Sequence, residues 1–148
     1  MRWLETITER LLDPWEAERA LALMHQSAPD LKTLDLSGRA LSEVPLGLAR
    51  FENLETLDLS HNQLLDLGFP MLGLQRLRTL ALRDNCLGEI PPVIALLPHL
   101  ESLDLSGNRI SVFPVELSAL CRLQWLDLRG NPITLAGVPE PLREVTML

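Results

Sequence analysis

At 148 residues the chain is one domain long, 47% of it is hydrophobic, and roughly one residue in four is leucine, which is enough apolar material for a core. No uninterrupted apolar run reaches the about 18 residues needed to cross a bilayer. The net charge of -7 argues against nucleic-acid and anionic-membrane partners, because binding a phosphate backbone requires a basic stripe.

Residues 1–30 contain no repeat. Trp3, Leu4, Ile7 and Leu11, then Trp15, Leu21 and Met24, fall at helical spacings, and Asp13-Pro14 between the two sets reads as an N-cap followed by proline in a first turn. Two short helices are expected, acting as a cap over whatever follows; an amphipathic helix that binds a partner is the alternative. Met1-Arg2-Trp3-Leu4-Glu5 puts acid into the apolar stretch and lacks a small-residue cleavage site, unlike a secretory signal. A cytoplasmic location is expected, and Cys86 and Cys121, with no Cys/His cluster near either, are read as unlinked thiols.

From residue 31 onward the phrase Leu-x-x-Leu-x-Leu-x-x-Asn recurs, at Leu54 to Asn62, Leu77 to Asn85, Leu100 to Asn108 and Leu123 to Asn131, with an atypical first copy from Leu31 to Arg39. The leading residues Leu31, Leu54, Leu77, Leu100 and Leu123 are spaced 23 residues apart, a period that signals a solenoid. Strand side chains alternate faces, so in the fourth copy Leu103 and Leu105 point inward while Ser102, Asp104 and Ser106 point outward. Ile110, Phe113, Leu117 and Leu120 must fill the same interior from the returning segment. Each copy is one coil, too thin to cover its own apolar faces, and stability comes from stacking.

Asn62, Asn85, Asn108 and Asn131 occupy the bend after each strand, where an amide both donates to and accepts from main-chain groups of adjacent coils. They read as a structural ladder. Pro45, Pro91 and Pro114 recur six residues beyond the bend, replaced by Gly68 and Gly137 in the second and fifth copies. Proline there opposes a long regular helix, so the return is expected to be extended or built of short 3₁₀ turns. After Ile133 the pattern lapses, and Leu142-Arg143-Glu144-Val145-Thr146-Met147-Leu148 restores Leu-x-x-Val-x-Met as a shortened sixth strand over 142–148. That strand is either an edge for docking and self-association or a frayed end.

These copies resemble the leucine-rich-repeat superfamily, in particular its intracellular class of 23-residue repeats with a Leu-Pro step, over about residues 31–148. The resemblance implies an α/β fold: a right-handed solenoid of five repeats and a partial sixth strand, with a parallel sheet on the concave face, an extended or 3₁₀ convex side and an N-terminal helical cap. It also implies a family whose members mostly bind other proteins on the concave face. Arg39 departs from the pattern at the ladder position, so the ladder role is not carried to it.

Outward residues form columns across the expected sheet: Thr33, Thr56, Thr79, Ser102, Trp125; Asp35, Asp58, Ala81, Asp104, Asp127; and Ser37, Ser60, Arg83, Ser106, Arg129. Neighbouring aspartates on strands about 4.8 Å apart repel one another, and a cation, a raised pKa or a basic partner would relieve the strain. Ala81, Arg83 and Asp84 break the monotony in the third copy, and Trp125 with Arg129 in the fifth. Tryptophan and arginine are frequent binding hot spots. The candidate partner-binding residues are therefore His61, Arg83, Asp84, Ser102, Asp104, Ser106, Trp125, Asp127 and Arg129. In the competing reading the arginines only neutralise nearby aspartates and Trp125 is a lid over the last coil.

No P-loop, G-x-S-x-G, H-E-x-x-H or EF-hand spacing is present, and His25, His61 and His99 are too dispersed to share a site. No catalytic residue, metal site or cofactor is expected. The leading expectation is a cytoplasmic, monomeric interaction module for one protein or peptide, with basic residues on the partner opposite the aspartates. A structural block that self-associates weakly through its C-terminal edge is a second possibility, and a secreted bacterial effector, suggested by Lys32 being the sole lysine, is a third.

Overall fold

The computed structural model describes residues 14–113 and 115–148. The first expected helix, from Trp3 to Leu11, with the Asp13 cap and Pro114, lies outside them. One strand per coil builds a six-stranded parallel sheet in chain order: β1 Thr33–Asp35, β2 Thr56–Asp58, β3 Thr79–Ala81, β4 Ser102–Asp104, β5 Trp125–Asp127 and β6 Thr146–Met147. The register follows the repeat, with Leu34, Leu57, Leu80, Leu103 and Leu126 in one row. All five are buried, as are Leu36, Leu59, Leu82, Leu105 and Leu128 two residues on. This is the solenoid fold the repeat implied, with the parallel sheet as its concave face.

The return of each coil is a 3₁₀ turn, at Leu46–Arg50, Phe69–Gly73, Pro92–Leu96, Val115–Ala119 and Leu135–Gly137. Proline at 45 and 91 sets the extended backbone that starts two of them, at φ -61° and -57°, and supplies the carbonyl that Leu48 and Ile94 bond three residues later. Short i to i+3 turns keep the convex layer thin. Their apolar residues Leu48, Met71, Ile94 and Leu117 and the following Phe51, Leu74, Leu97 and Leu120 close the interior from the opposite side. At Gly73 the layer is so tight that a Cβ would sit 2.4 Å from the Ala49 carbonyl oxygen.

At the N-terminal end α1, Pro14–Ser27, buries Ala17, Ala20, Leu21 and Met24 against the first coil. Glu18 Oε2 accepts the Gly47 N–H at 2.8 Å, and the His25 ring meets Phe51 edge-on at 5.5 Å.

The last coil departs from expectation. Leu142 is not in a strand; it is buried in a one-turn helix, α2, Glu140–Arg143, and β6 is confined to Thr146–Met147. Motif spacing would set Val145 beside Leu126, but the partner of Leu126 is Thr146, and that of Asp127 is Met147. A one-residue slip shifts every side chain by one place, so Val145 and Met147 stand in register beside Trp125 and Asp127, with Val145 half-buried against the core. The cause is local: the α2 turn takes up chain that the motif would have given to the strand, and the Thr146 hydroxyl donates to the Leu142 carbonyl at 2.5 Å.

Candidate functional site

The asparagine ladder fixes the upper rim of the concave face. Asn62 Oδ1 accepts the Arg39 and Leu41 N–H groups at 2.9 and 3.0 Å, and its amide donates to the Leu36 and Leu59 carbonyls, both at 2.9 Å. Asn85 accepts from Leu64, Asn108 from Leu87 and Asn131 from Ile110, each of them donating to carbonyls of its own and the preceding coil. One residue before each ladder asparagine, and before Arg39 in the first coil, the chain is left-handed: Gly38, His61, Asp84, Gly107 and Gly130 have φ of 64°, 57°, 53°, 67° and 72°. Each of the first four donates its N–H to a carbonyl of the next coil, at 2.8 to 2.9 Å. Glycine meets this geometry at least strain, and His and Asp meet it at a cost of order 1–2 kcal/mol.

His61 and Asp84 thus form a row of side chains along the rim. His61 Nδ1 lies 3.3 Å from Asp84 Oδ2, and Arg83 Nε donates to the same oxygen at 3.1 Å. Asp84 also leans over Gly107, where a Cβ would fall 2.0 Å from its Oδ1. The structure therefore joins three of the candidate residues, His61, Arg83 and Asp84, into one exposed cluster.

The aspartate column behaves differently from its outward-facing reading. Asp35, Asp58, Asp104 and Asp127 each turn Oδ1 back onto the N–H two residues ahead, in Ser37, Ser60, Ser106 and Arg129, at 2.8 to 3.0 Å. Side-chain hydroxyls of Ser37 and Ser106 add a second bond at 2.6 Å. These are Asx turns that end the strands. They also correct the picture of an outward serine column: Ser60 and Ser106 are buried, held under the aspartates rather than offered to solvent. Ala81 removes the acceptor in β3, and Arg83 turns to Asp84 instead.

Asp127 is buried as well, at 1% exposure, clamped by Arg129 through Nε at 3.0 Å and Nη2 at 2.5 Å. The side-chain hydrogen bond from Arg129 outweighs desolvation and holds this carboxyl below its usual range, while Arg129 itself is raised above the normal arginine value. The relief anticipated as a raised pKa is, at Asp127, a lowered one. Arg129 itself remains exposed at the edge of the face. Trp125 is half-buried, in register with Ser102 and Thr79. Sequence reasoning missed the left-handed row, although aligning Gly38, Gly107 and Gly130 with His61 and Asp84 would have exposed it. It also missed the apolar pair Val145 and Met147 beside Trp125.

Among the described residues no cluster of three or more His, Cys, Asp or Glu is suited to hold a metal ion, and Cys86 and Cys121 are free. The geometry is that of an open repeat scaffold whose exposed sheet carries varied side chains on an invariant frame. Two family models match the chain, "Leucine rich repeat" over residues 72–133 and "Leucine Rich repeats (2 copies)" over 29–72, and the chain belongs to the leucine-rich-repeat family. Its structure is similar to internalin C2 of Listeria monocytogenes at 29% identity and a TM-score of 0.63, covering 80% of this chain and 50% of that one. The plant peptide hormone receptor RGFR1, solved in complex with RGF2, matches at 31% identity and 0.60 over 70% of this chain and 17% of the receptor. The BIR2 ectodomain of Arabidopsis thaliana matches at 33% identity and 0.55, over 68% of each chain. The chain thus spans half the length of internalin C2 and a smaller part of the receptor. Comparison with curated sequences gave no significant match. Fold and family together make this a protein-interaction module in the general sense.

Proposed function

We propose that the chain binds a protein or peptide through its concave face, with contacts to His61, Arg83, Asp84, Ser102, Asp104, Trp125 and Arg129, and that it does so as a cytoplasmic monomer without nucleic-acid or membrane contact and without catalysis. The observation that carries this reading is the His61 and Asp84 pair. Three of the five bends use glycine at the left-handed position, so a purely structural solution was available at the other two. Strained side chains that persist in a permissive frame concentrate at functional positions. Here they present a shared imidazole, carboxylate and guanidinium cluster on the rim just beyond the ends of β2 and β3. The complex of the similar receptor RGFR1 with RGF2 supports a peptide-like ligand.

A partner with basic residues fits the aspartate column, because Asp35, Asp58 and Asp104 use Oδ1 internally and keep the second oxygen for an incoming donor. Buried Ser106 and Asp127 leave the set of contacts; Ser106 acts by orienting Asp104, and Asp127 by holding Arg129. The test is affinity capture by the intact chain beside Trp125→Ala, Arg83→Ala and Asp84→Gly variants, each with its melting temperature. Lost capture at unchanged melting temperature supports the reading. Unchanged capture with a fall in melting temperature at Trp125→Ala makes that residue a lid and removes it from the site.

A further inference from the structure

A second surface lies where the convex turns run into the sheet, one residue before the leading leucine of each coil. The column there is Asp30, Asn53, Arg76, His99 and Arg122, and two residues on it is flanked by Lys32, Glu55, Arg78, Glu101 and Gln124. Lateral bonds link neighbours 23 residues apart: Asn53 Nδ2 donates to Asp30 Oδ1 at 2.9 Å, Arg76 Nη1 to Asn53 Oδ1 at 2.8 Å, Lys32 pairs with Glu55 at 3.1 Å and Arg78 with Glu101 at 2.8 Å. The sign of the edge changes along the solenoid. In the first two coils the edge holds Asp30, Glu52 and Glu55 with Lys32 and, on the adjoining turn, Arg50, while in the next three it holds Arg76, Arg78 and Arg122 with Glu101, and Gln75, Pro98 and Cys121 beside them are uncharged.

Only Arg78 in that second group has a carboxylate partner among the described residues. Arg76 donates to a neutral amide, and Arg122 Nη1 meets His99 Nδ1 at 2.7 Å. An arginine has no acceptor, so His99 Nδ1 must accept, and its ring proton sits on Nε2. Coils repeat at about 4.8 Å, so two guanidinium groups and an imidazole N–H stand in line within about 10 Å, all donors and none an acceptor. Arg76 and Arg122 are exposed and His99 is half-buried. In a chain of net charge -7, cations without a carboxylate partner grouped on one edge favour an anionic ligand there.

We propose that this edge, Arg76, His99 and Arg122 with Arg78 beside them, is a docking surface separate from the concave face, fitted to an Asp- and Glu-rich segment of a partner protein. An acidic peptide satisfies the donors with carboxylates and tolerates the negative remainder of the molecule better than a long polyanion does, since a nucleic acid would continue over the acidic first two coils.

The test is fluorescence anisotropy of a labelled ten-residue Asp/Glu peptide with the full chain at low salt, beside an Asn/Gln peptide of equal length and a single-stranded oligonucleotide. The acidic peptide is expected to bind, to weaken as salt rises, and to lose about tenfold in affinity with Arg76→Gln and Arg122→Gln together, the effect of removing two exposed charge contacts. The doubly substituted Arg19→Gln, Arg109→Gln chain, which changes net charge equally at exposed sites elsewhere, should bind as the parent does. Arg76→Lys with Arg122→Lys should retain most binding, and serves if the glutamine pair fails to fold. Equal affinity of the glutamine pair and the parent, equal binding of the Asn/Gln peptide, or tighter binding of the oligonucleotide would each overturn the proposal.

Discussion

The ladder makes a quantitative prediction, because its bonds are shared unequally. Removing the Asn85 amide takes one bond from the Leu59 carbonyl, one from Leu82 and a long one from Arg83. Leu59 keeps Asn62, Leu82 keeps Asn108 and Arg83 keeps the His61 N–H. Only the Leu64 N–H is orphaned, so Asn85→Ala should cost about 1–3 kcal/mol, the penalty of one buried unpaired donor. Asn62 has no ladder asparagine before it, since Arg39 occupies that place. Asn62→Ala orphans the Arg39 and Leu41 N–H groups and, among the described residues, the Leu36 carbonyl. Three stranded groups against one should make it the costlier change by about 2 kcal/mol. Urea unfolding followed by circular dichroism measures both. If Asn85→Ala proves as damaging as Asn62→Ala, or more so, sharing does not protect the interior coils and the reasoning fails.

Gly73→Ala should destabilise by about 1–3 kcal/mol through its clash with the Ala49 backbone, whereas Gly88→Ala, with nothing within 4 Å of the added carbon, should leave the melting temperature nearly unchanged. His61→Gly and Asp84→Gly should hold or raise the melting temperature, since they relieve a left-handed strain of about 1 kcal/mol each, and should weaken partner capture; a clear loss of stability in both would make the pair structural. Because Arg129 holds the folded carboxyl of Asp127 below its unfolded value, the resulting stabilisation is present above about pH 4 and fades as pH falls through the folded value. Arg129→Gln should therefore flatten the acid limb of a melting-temperature profile while also lowering its neutral plateau, and an acid limb as steep as the parent's would contradict the assignment.

The five full strands, the buried leucine rows, the ladder and the short convex turns were legible because each depends on a position that repeats, so a single reading is checked several times along the chain. Where repetition ends, legibility ends. Val145, Thr146 and Met147 offered a motif match, but α2 consumed a residue and turned the strand over. Along the aspartate column the alternation of faces was right for the backbone and wrong for accessibility, because an Asx turn draws Oδ1 onto the chain and covers the serine beneath it. The burial of Asp127 depended on Arg129 being free to fold back over it, a rotamer choice that spacing does not encode. The basic edge was missed for a simpler reason: columns were read only through the sheet, and Arg76, His99 and Arg122 precede it.

The contact of Gly73 with Ala49 also bears on curvature. An arc bends to the degree that its outer layer is thicker than its inner one, and here the outer layer is thin enough for main chain to touch main chain. An outer layer this thin favours a shallow trough over a deep hook. A trough of that kind receives the flat side of a folded domain or a strand laid across it, and grips neither by enclosure, so discrimination among visitors falls to the few side chains that differ from one coil to the next.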